Sequence, residues 1–341
     1  MAGCDLQRTL TMLSKWSDEE NMLRSFLIYL SKAPWARRIV TKWKIAWLVA
    51  SRFVAGETPS DAIRVIRELN ARGICATLDH LGESVTDAAE ARRATGEIIL
   101  ILEEIHRTGV RSGVSIKPSQ IGLALDRELF EQNLRKILQK AKELNNFVRI
   151  DMEDSLYTEV TISTFEKLWQ EGFAGHVGIV IQAYLYRSAA DIHELMKIGA
   201  PVRLCKGAYD EPAEIAFPKK ADVDANYDVL GQMLISGALI GGANPLSACG
   251  RIPPMTAIAS HDEKRIENAK AYAQKAGLPK GALEFQMLYG IRRDLQESLA
   301  ADGYPVRVYV PYGTEWYPYF MRRLAERPAN LWFFISNFFR H

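Results

Sequence analysis

The amino-acid sequence predicts an α/β chain folded as a distorted, TIM-like (β/α)8 barrel with an N-terminal helical arm. Three observations carry that expectation. From about residue 60 the chain alternates amphipathic helical stretches with short β-branched runs; those runs number eight; and the first is not followed by a glycine-rich phosphate turn. A doubly wound open sheet would carry such a turn there, where this chain reads LDHLGESV, and neither GxGxxG nor GxxxxGK[ST] occurs anywhere. The barrel is therefore preferred to the open sheet.

The 341 residues divide into an arm, 1–58, and a barrel domain, 59–341, that includes a C-terminal helix. Barrels of about 250 residues fold around one core, so this length fits one large domain plus the arm. With 48% apolar and 25% charged residues the composition is that of a soluble globular protein. The net charge of +2 provides no global field for nucleic acid, so ligands must be recognised locally. Cys4, Cys75, Cys205 and Cys249 form no CxxC pair and lack zinc-site spacing. The opening MAGCDLQRTL lacks the apolar core of a secretory signal. Together these features predict a reduced, cytoplasmic protein.

In the arm, Met22, Leu23, Phe26, Leu27 and Leu30 recur at helical spacing. The apolar stretch from Ile45 to Ala55 is too short to span a membrane, is interrupted by Arg52, and reads as an amphipathic helix. The strands are expected at Gly73–Leu81, Gly113–Lys117, Phe147–Asp151, Val177–Tyr184, Val202–Gly207, Thr256–His261, Leu283–Leu288 and Val306–Pro311. Between them lie helices such as Pro59–Ala71 and Thr86–His106, the latter with Ile98, Ile101 and Ile105 on one face.

Barrel enzymes place their chemistry where strands end. Here those ends carry Asp79 and His80, Lys117, Asp151 and Glu153, Gln182, Arg203 and Lys206, His261, Gln286, and Tyr309. Asp79 or Asp151 could equally cap the following helix. Lys117 and Arg203 are the most informative, because a long cation pointing into a barrel mouth must meet an anion there. In the last helix, Tyr319, Arg322, Arg323 and Glu326 share one face, so Glu326 can hold one guanidinium while the other forks toward a carboxylate. The plainer reading of that face is a solvated ion-pair surface, against which the neighbouring Trp316 and Tyr317 weigh. His80 and His261 lack metal-ligand spacing, no GxSxG elbow occurs, and Cys205 reads as a mid-strand residue unsuited to nucleophilic catalysis. The mouth thus suits a small anionic ligand with an apolar body, such as an amino acid, or a phosphate-bearing cofactor.

At these positions the chain resembles the proline dehydrogenases of the monofunctional bacterial type. The resemblance lies in RLCKGAYDEP at Arg203–Pro212 and RVYVPYGTEWYPYFMRRLAERPAN at Arg307–Asn330. It extends to VSIKPS around Lys117, VRIDMED around Asp151, VIQAYL around Gln182, IASHD around His261 and EFQMLYGI around Gln286. Together these motifs cover about residues 114 to 330, at seven of the eight strands and in order.

That resemblance implies an FAD enzyme that oxidises L-proline to 1-pyrroline-5-carboxylate, with hydride passing from proline C5 to flavin N5. It implies that Lys117, Arg322 and Arg323 bind the proline carboxylate, that Tyr309, Tyr319 and Leu288 wall in its ring, and that Glu326 orients the arginines. Arg203 would lie near the reactive flavin nitrogen, and Asp151, Met152, Gln182, Cys205, Lys206, Gly207, Ala208, Tyr209, Ser260, His261, Gln286 and Leu288 would line the FAD. The small residues Gly207 and Ala208 suit a flat cofactor. The family's electron acceptor implies a membrane quinone and hence peripheral contact at the inner face of the membrane; pyrroline-5-carboxylate dehydrogenase would act downstream. The aromatic tail LWFFISNFF offers a membrane contact, against the simpler alternative of a docked terminal helix. Cys205 stands where the family has Val, and Asp210 where some relatives place an aromatic ring on the adenine.

Two rivals use the same residues differently. A Schiff-base lyase or aldolase would employ Lys117 or Lys206 as the amine, and a barrel without catalysis would only bind. Intact Lys117, Arg322 and Arg323 argue against the second.

Overall fold

Among the residues that the computed structural model describes, which are 27, 29–31, 33–41, 44–82 and 85–326, eight parallel strands close into a barrel in chain order. They are β1 (Cys75–His80), β2 (Ser112–Ile116), β3 (Val148–Ile150), β4 (Val177–Gln182), β5 (Val202–Cys205), β6 (Thr256–Ala259), β7 (Leu283–Leu288) and β8 (Val306–Tyr312). The last strand pairs with the first, with Thr77 opposite Tyr309 and Asp79 opposite Pro311. All eight predicted runs are strands, most of them shorter than expected. β3 stops before Asp151 and β5 before Lys206, so those polar residues open the loops.

The strand runs are β-branched because one face is buried against helices: Leu78, Val114, Ile150, Ile179, Leu204 and Val308 are all buried. The opposite face lines the barrel interior, and it is polar. Side chains alternate along a strand, so Thr77 and Asp79, Ser115, Arg149, Gln182, Arg203, Glu284 and Gln286, and Arg307 and Tyr309 share that inner face. The bond of 3.1 Å between the Thr77 and Ser115 hydroxyls fixes the parity for β1 and β2. Barrels are usually filled by Val, Ile and Leu; this one is filled largely by charges and amides.

The helices are set by their caps. Pro59–Ala71, found over the predicted span, begins at a reciprocal cap in which Asp61 N–H donates to Thr58 Oγ1 and Thr58 N–H to Asp61 Oδ2, each at 3.2 Å. The helix expected at Thr86–His106 runs from Ala88 to Thr108, because Asp87 is its N-cap and Gly109, at φ 68°, ends it in the left-handed conformation. Ile98, Ile101 and Ile105 are buried on its inner face, as predicted.

Two compact units divide the chain: Ala55–Gly313 holds the barrel, and Met1–Val54 groups with Thr314–His341. In the second unit the helices Pro34–Val40, Lys44–Ala50 and Trp316–Glu326 are described. Trp47 meets Trp316 edge to face at 5.3 Å, the Tyr317 hydroxyl donates to the Leu30 carbonyl at 2.9 Å, and Arg37 pairs with Glu315. These contacts account for the aromatic residues beside Tyr319. The helix expected over Ile45–Ala55 occupies Lys44–Ala50 and unwinds at Ser51. Of the apolar arm residues, Leu27 is buried and Leu30 half-buried, while Met22, Leu23 and Phe26 lie outside the described residues, as does the aromatic tail. No described helix is long and apolar enough to cross a membrane.

Candidate active site

At the C-terminal ends of the strands, side chains from β1, β2, β3, β5, β7 and β8 join in one hydrogen-bonded network. Lys117, one residue beyond β2, donates Nζ to Asp79 Oδ1 at 2.9 Å and to the Tyr309 hydroxyl at 3.1 Å. That hydroxyl donates to Asp151 Oδ2 at 2.7 Å, which also lies 3.8 Å from Lys117 Nζ. Arg203 on β5 donates Nη1 to Asp151 Oδ1 at 2.8 Å, Nη2 to Ser115 Oγ at 3.1 Å, and Nε to the Gln286 amide oxygen. Two cations thus face two carboxylates. Neither Asp79 nor Asp151 caps a helix; the N-cap positions of the helices that follow β1 and β3 are Asp87 and Asp154, so the capping alternative is excluded for both.

Tyr309 is central to this cluster. Its ring lies 5.8 Å from Lys117 Nζ and 5.5 Å from the Arg203 guanidinium, and its hydroxyl links Lys117 to Asp151. Burial, and after it the charges of Asp151 and Asp79, hold the phenol well above its ordinary pKa, so it stays a neutral donor. Asp151 in turn accepts from Arg203 and Tyr309 together, which fixes its carboxylate in one orientation.

The other strand-end residues fall into small groups around the network. Gln182 is buried at the end of β4, and its Nε2 reaches the Met152 carbonyl at 3.4 Å. The Leu288 N–H donates to His261 Nε2 at 2.9 Å, so that ring nitrogen is an acceptor. Ser260 Oγ accepts from the Asp262 N–H at 3.1 Å. Lys206 is turned to Asp224 and Asp262, the latter at 2.9 Å. Ala208 and Tyr209 are exposed in the loop after β5. Gly207 adopts φ 111°, and a Cβ there would stand 2.3 Å from the Tyr184 ring, so packing alone requires glycine at this turn. Cys205 ends β5 rather than lying mid-strand; burial pushes its thiol up to about 12, which makes it a poor nucleophile. Glu153 serves structure, accepting from Ser119 N–H and Oγ at 2.7 and 2.6 Å. His80 packs against Tyr312, their ring centroids 5.1 Å apart and their planes tilted by 37°.

Tyr319, Arg322 and Arg323 belong to the helix Trp316–Glu326 of the other unit, where the Arg323 guanidinium lies 5.2 Å from the Tyr319 ring. Tyr319 is buried, both arginines are half-buried, and the Glu326 side chain lies outside the described residues.

Deeper in the barrel the inner face carries Arg149, Glu284 and Arg307, none of which is singled out by a search confined to strand ends. Parity is the signal that finds them. Each lies two residues before a mouth residue: Arg149 before Asp151, just past the end of β3, Glu284 before Gln286 on β7, and Arg307 before Tyr309 on β8.

Two features leave hydrogen-bonding capacity for a ligand. Arg203 uses three of its five N–H groups in the bonds above, and Gln182 Oε1 is buried with no partner among the described residues. A guanidinium donor and an amide acceptor at neighbouring strand ends suit a planar polar group, and both lysines of the Schiff-base reading donate to carboxylates instead.

Known proteins match this chain over most of its length. The family model described as proline dehydrogenase matches residues 62–335. A proline dehydrogenase of Deinococcus radiodurans is 43% identical over 293 residues, covering 85% of this chain and 90% of the relative. Proline dehydrogenase 1 of Bacillus subtilis is 41% identical over 318 residues, covering 92% and 98%. Among solved structures, proline utilization A of Bdellovibrio bacteriovorus, inactivated by N-propargylglycine, aligns with TM-score 0.75 at 25% identity. The alignment covers 90% of this chain but only 36% of that longer one.

Proposed function

The chain belongs to the proline dehydrogenase family, and from that premise we propose that it binds FAD at the barrel mouth and oxidises L-proline to 1-pyrroline-5-carboxylate. The observation that carries the reading is the Lys117–Asp79–Tyr309–Asp151–Arg203 network, in which each side chain that would meet substrate or cofactor is held by at least one partner. Such preorganisation is what a small substrate demands, since it offers few contacts of its own.

When bound, FAD supplies the hydride acceptor, N5, for the hydrogen on proline C5. Arg203 would offer its remaining N–H groups beside that nitrogen, and the buried Gln182 amide oxygen would accept from the flavin ring. Asp151, Met152, Cys205, Lys206, Gly207, Ala208, Tyr209, Ser260, His261, Gln286 and Leu288 would complete the cofactor's surroundings. Lys117, with Arg322 and Arg323, would take the proline carboxylate, Glu326 orienting the arginines. Tyr309, Tyr319 and Leu288 would pack on the ring, excluding water and turning C5 toward the cofactor. Binding at the charged end thereby fixes the reacting carbon at the other. Electrons would leave to a quinone-type acceptor, so a cytoplasmic protein would meet the inner face of the membrane, and pyrroline-5-carboxylate dehydrogenase would consume the product.

One spectrum tests this reading. The purified protein should carry a flavin band that anaerobic L-proline bleaches. Flavin-loaded protein that does not bleach would sink the assignment, and a colourless protein trapped with a carbonyl ligand by borohydride would favour the lyase.

A further inference from the structure

The floor of the barrel holds a second charge cluster that proline oxidation does not use. Arg149, Glu284 and Arg307 are 1%, 0% and 2% exposed. Arg307 Nε donates to the two Glu284 oxygens at 3.0 and 3.2 Å, Nη1 to the Ala76 carbonyl at 2.7 Å and Nη2 to the Gly250 carbonyl at 3.1 Å. The Gln286 amide donates to the same carboxylate. Arg149 is served less well. Its Nη1 donates to the carbonyls of Ile179, at 3.1 Å, and Pro201, but Nε and Nη2 have no hydrogen-bond partner among the described residues. Gly178 makes room for this side chain, since a Cβ there would stand 2.5 Å from Nη1.

A cavity of about 10 Å³ adjoins these groups, lined by Arg149, Arg203, Arg307, Gln286, Thr77 and Pro253, among others. The charges around it do not cancel. At the mouth Lys117 and Arg203 pair with Asp79 and Asp151, whereas at the floor Glu284 pairs with Arg307 and no carboxylate among the described residues pairs with Arg149. One positive charge is left over among buried groups. Burial, and next the charge of Arg203, press Arg149 toward losing its proton. A guanidinium does not give up its proton at physiological pH, so the charge stays and requires a counter-charge.

We propose that the barrel floor binds one small monovalent anion of the halide class, held by Arg149 through Nε and Nη2 with Arg307 beside it. A space of this size is at the lower limit for one water; a halide, slightly larger, fits with a small outward shift of the lining, whereas sulfate and phosphate are far too large. A water molecule would satisfy the N–H groups but leave the charge uncompensated, and for that reason the anion is favoured. The inference is independent of the flavin reading, because it concerns groups that touch neither substrate nor cofactor in that proposal, apart from the shared lining by Arg203 and Gln286.

The test is crystallographic and uses the wild-type protein. Crystals grown with bromide in place of chloride, measured at the bromine absorption edge, should show one anomalous peak within hydrogen-bonding distance of Arg149 Nε and Nη2. A water there, or no peak, overturns the proposal. In solution, exchanging gluconate for chloride at constant ionic strength should raise the thermal midpoint by roughly 5 °C when chloride reaches about 100 times its Kd. Equal midpoints in the two salts would also overturn it. Arg149→Met should abolish the chloride dependence; should that variant not fold, the bromide map of the wild type still decides the matter.

Discussion

The mouth and the floor of this barrel are built from alternate residues of the same strands, yet they treat charge in opposite ways. At the mouth two cations meet two carboxylates, and the side chains of Lys117 and Asp151 each remain 14% exposed. At the floor the one carboxylate, Glu284, pairs with Arg307 while Arg149 has no carboxylate partner among the described residues, and no member exceeds 2% exposure. A balanced, partly hydrated cluster can exchange one partner for a ligand's charge at modest cost. A buried and unbalanced cluster cannot lose a partner without stranding an ion. The mouth is therefore where substrate charge can be received, and the floor is where charge decides whether the barrel stands.

The largest expected effect tests the floor. Glu284→Ala removes its one carboxylate and leaves Arg307 and Arg149 without compensation, which should destabilise the fold by about 3–5 kcal/mol. Urea denaturation measures this directly, and a wild-type midpoint would show that the floor does not depend on charge pairing.

The next prediction concerns activity. Arg322→Ala should lose charge-assisted bonds to the substrate carboxylate worth roughly 1.5–3 kcal/mol each, a fall of about 10-fold to 100-fold in kcat/KM for proline. FAD content and denaturation midpoint should change little. Unaltered kinetics would mean that the Arg322 and Arg323 face is a solvated ion-pair surface.

Tyr309 offers a finer division within the mouth. Tyr309→Ser removes apolar contact worth about 1–3 kcal/mol and opens space beside the ring. Proline activity should fall, and the ratio of kcat/KM for hydroxyproline to that for proline should rise. A ratio that stays level or drops would remove Tyr309 from the ring wall, while its bonds to Lys117 and Asp151 would still stand.

The smallest effect leaves both function and stability untouched. Cys205, at the mouth, has its thiol pushed up to about 12 by burial. Cys249 lies next to Gly250, whose carbonyl accepts from Arg307 at the floor; burial raises its thiol, but bonds from Ser247 and the neighbouring backbone, with the Arg251 charge, outweigh that and lower it. A raised pKa keeps the thiol protonated as pH rises, so at pH 8 only about one Cys205 in 10,000 is thiolate. Alkylation followed by mass spectrometry at that pH should modify Cys249 well ahead of Cys205. Comparable rates would mean that the β5 end is more open than its packing implies.

Much of the barrel is legible in the sequence because its strands are short β-branched runs separated by amphipathic helices, a pattern that fixes order and number well and ends poorly. β3 shows the limit: Phe147 and Asp151 look like strand residues, but only Val148–Ile150 pair. The mouth residues are legible as polar interruptions at strand ends. Their partnerships are not, since the bond from Tyr309 to Asp151 joins residues 158 positions apart and depends on barrel closure. The floor charges are legible only through parity, once Asp151, Gln286 and Tyr309 are assigned to the inner face. The packing of the arm with the helix Trp316–Glu326 leaves no local signal, because aromatic residues at both chain ends do not name each other.

Arg307 also constrains the order in which the chain can fold. Its guanidinium gathers Glu284 from β7, Gly250 from the loop before β6, and Ala76 from β1, which is 231 positions away. Strands β1 to β7 can pair with their neighbours as they emerge from the ribosome, but the seam between β8 and β1 must wait for nearly the whole domain. Closing so long a loop is entropically late and slow. Until it closes, the nascent chain is an open sheet with two bare edges and a hydrated row of charges, and that interval is when this protein is most exposed to aggregation and most in need of a chaperone.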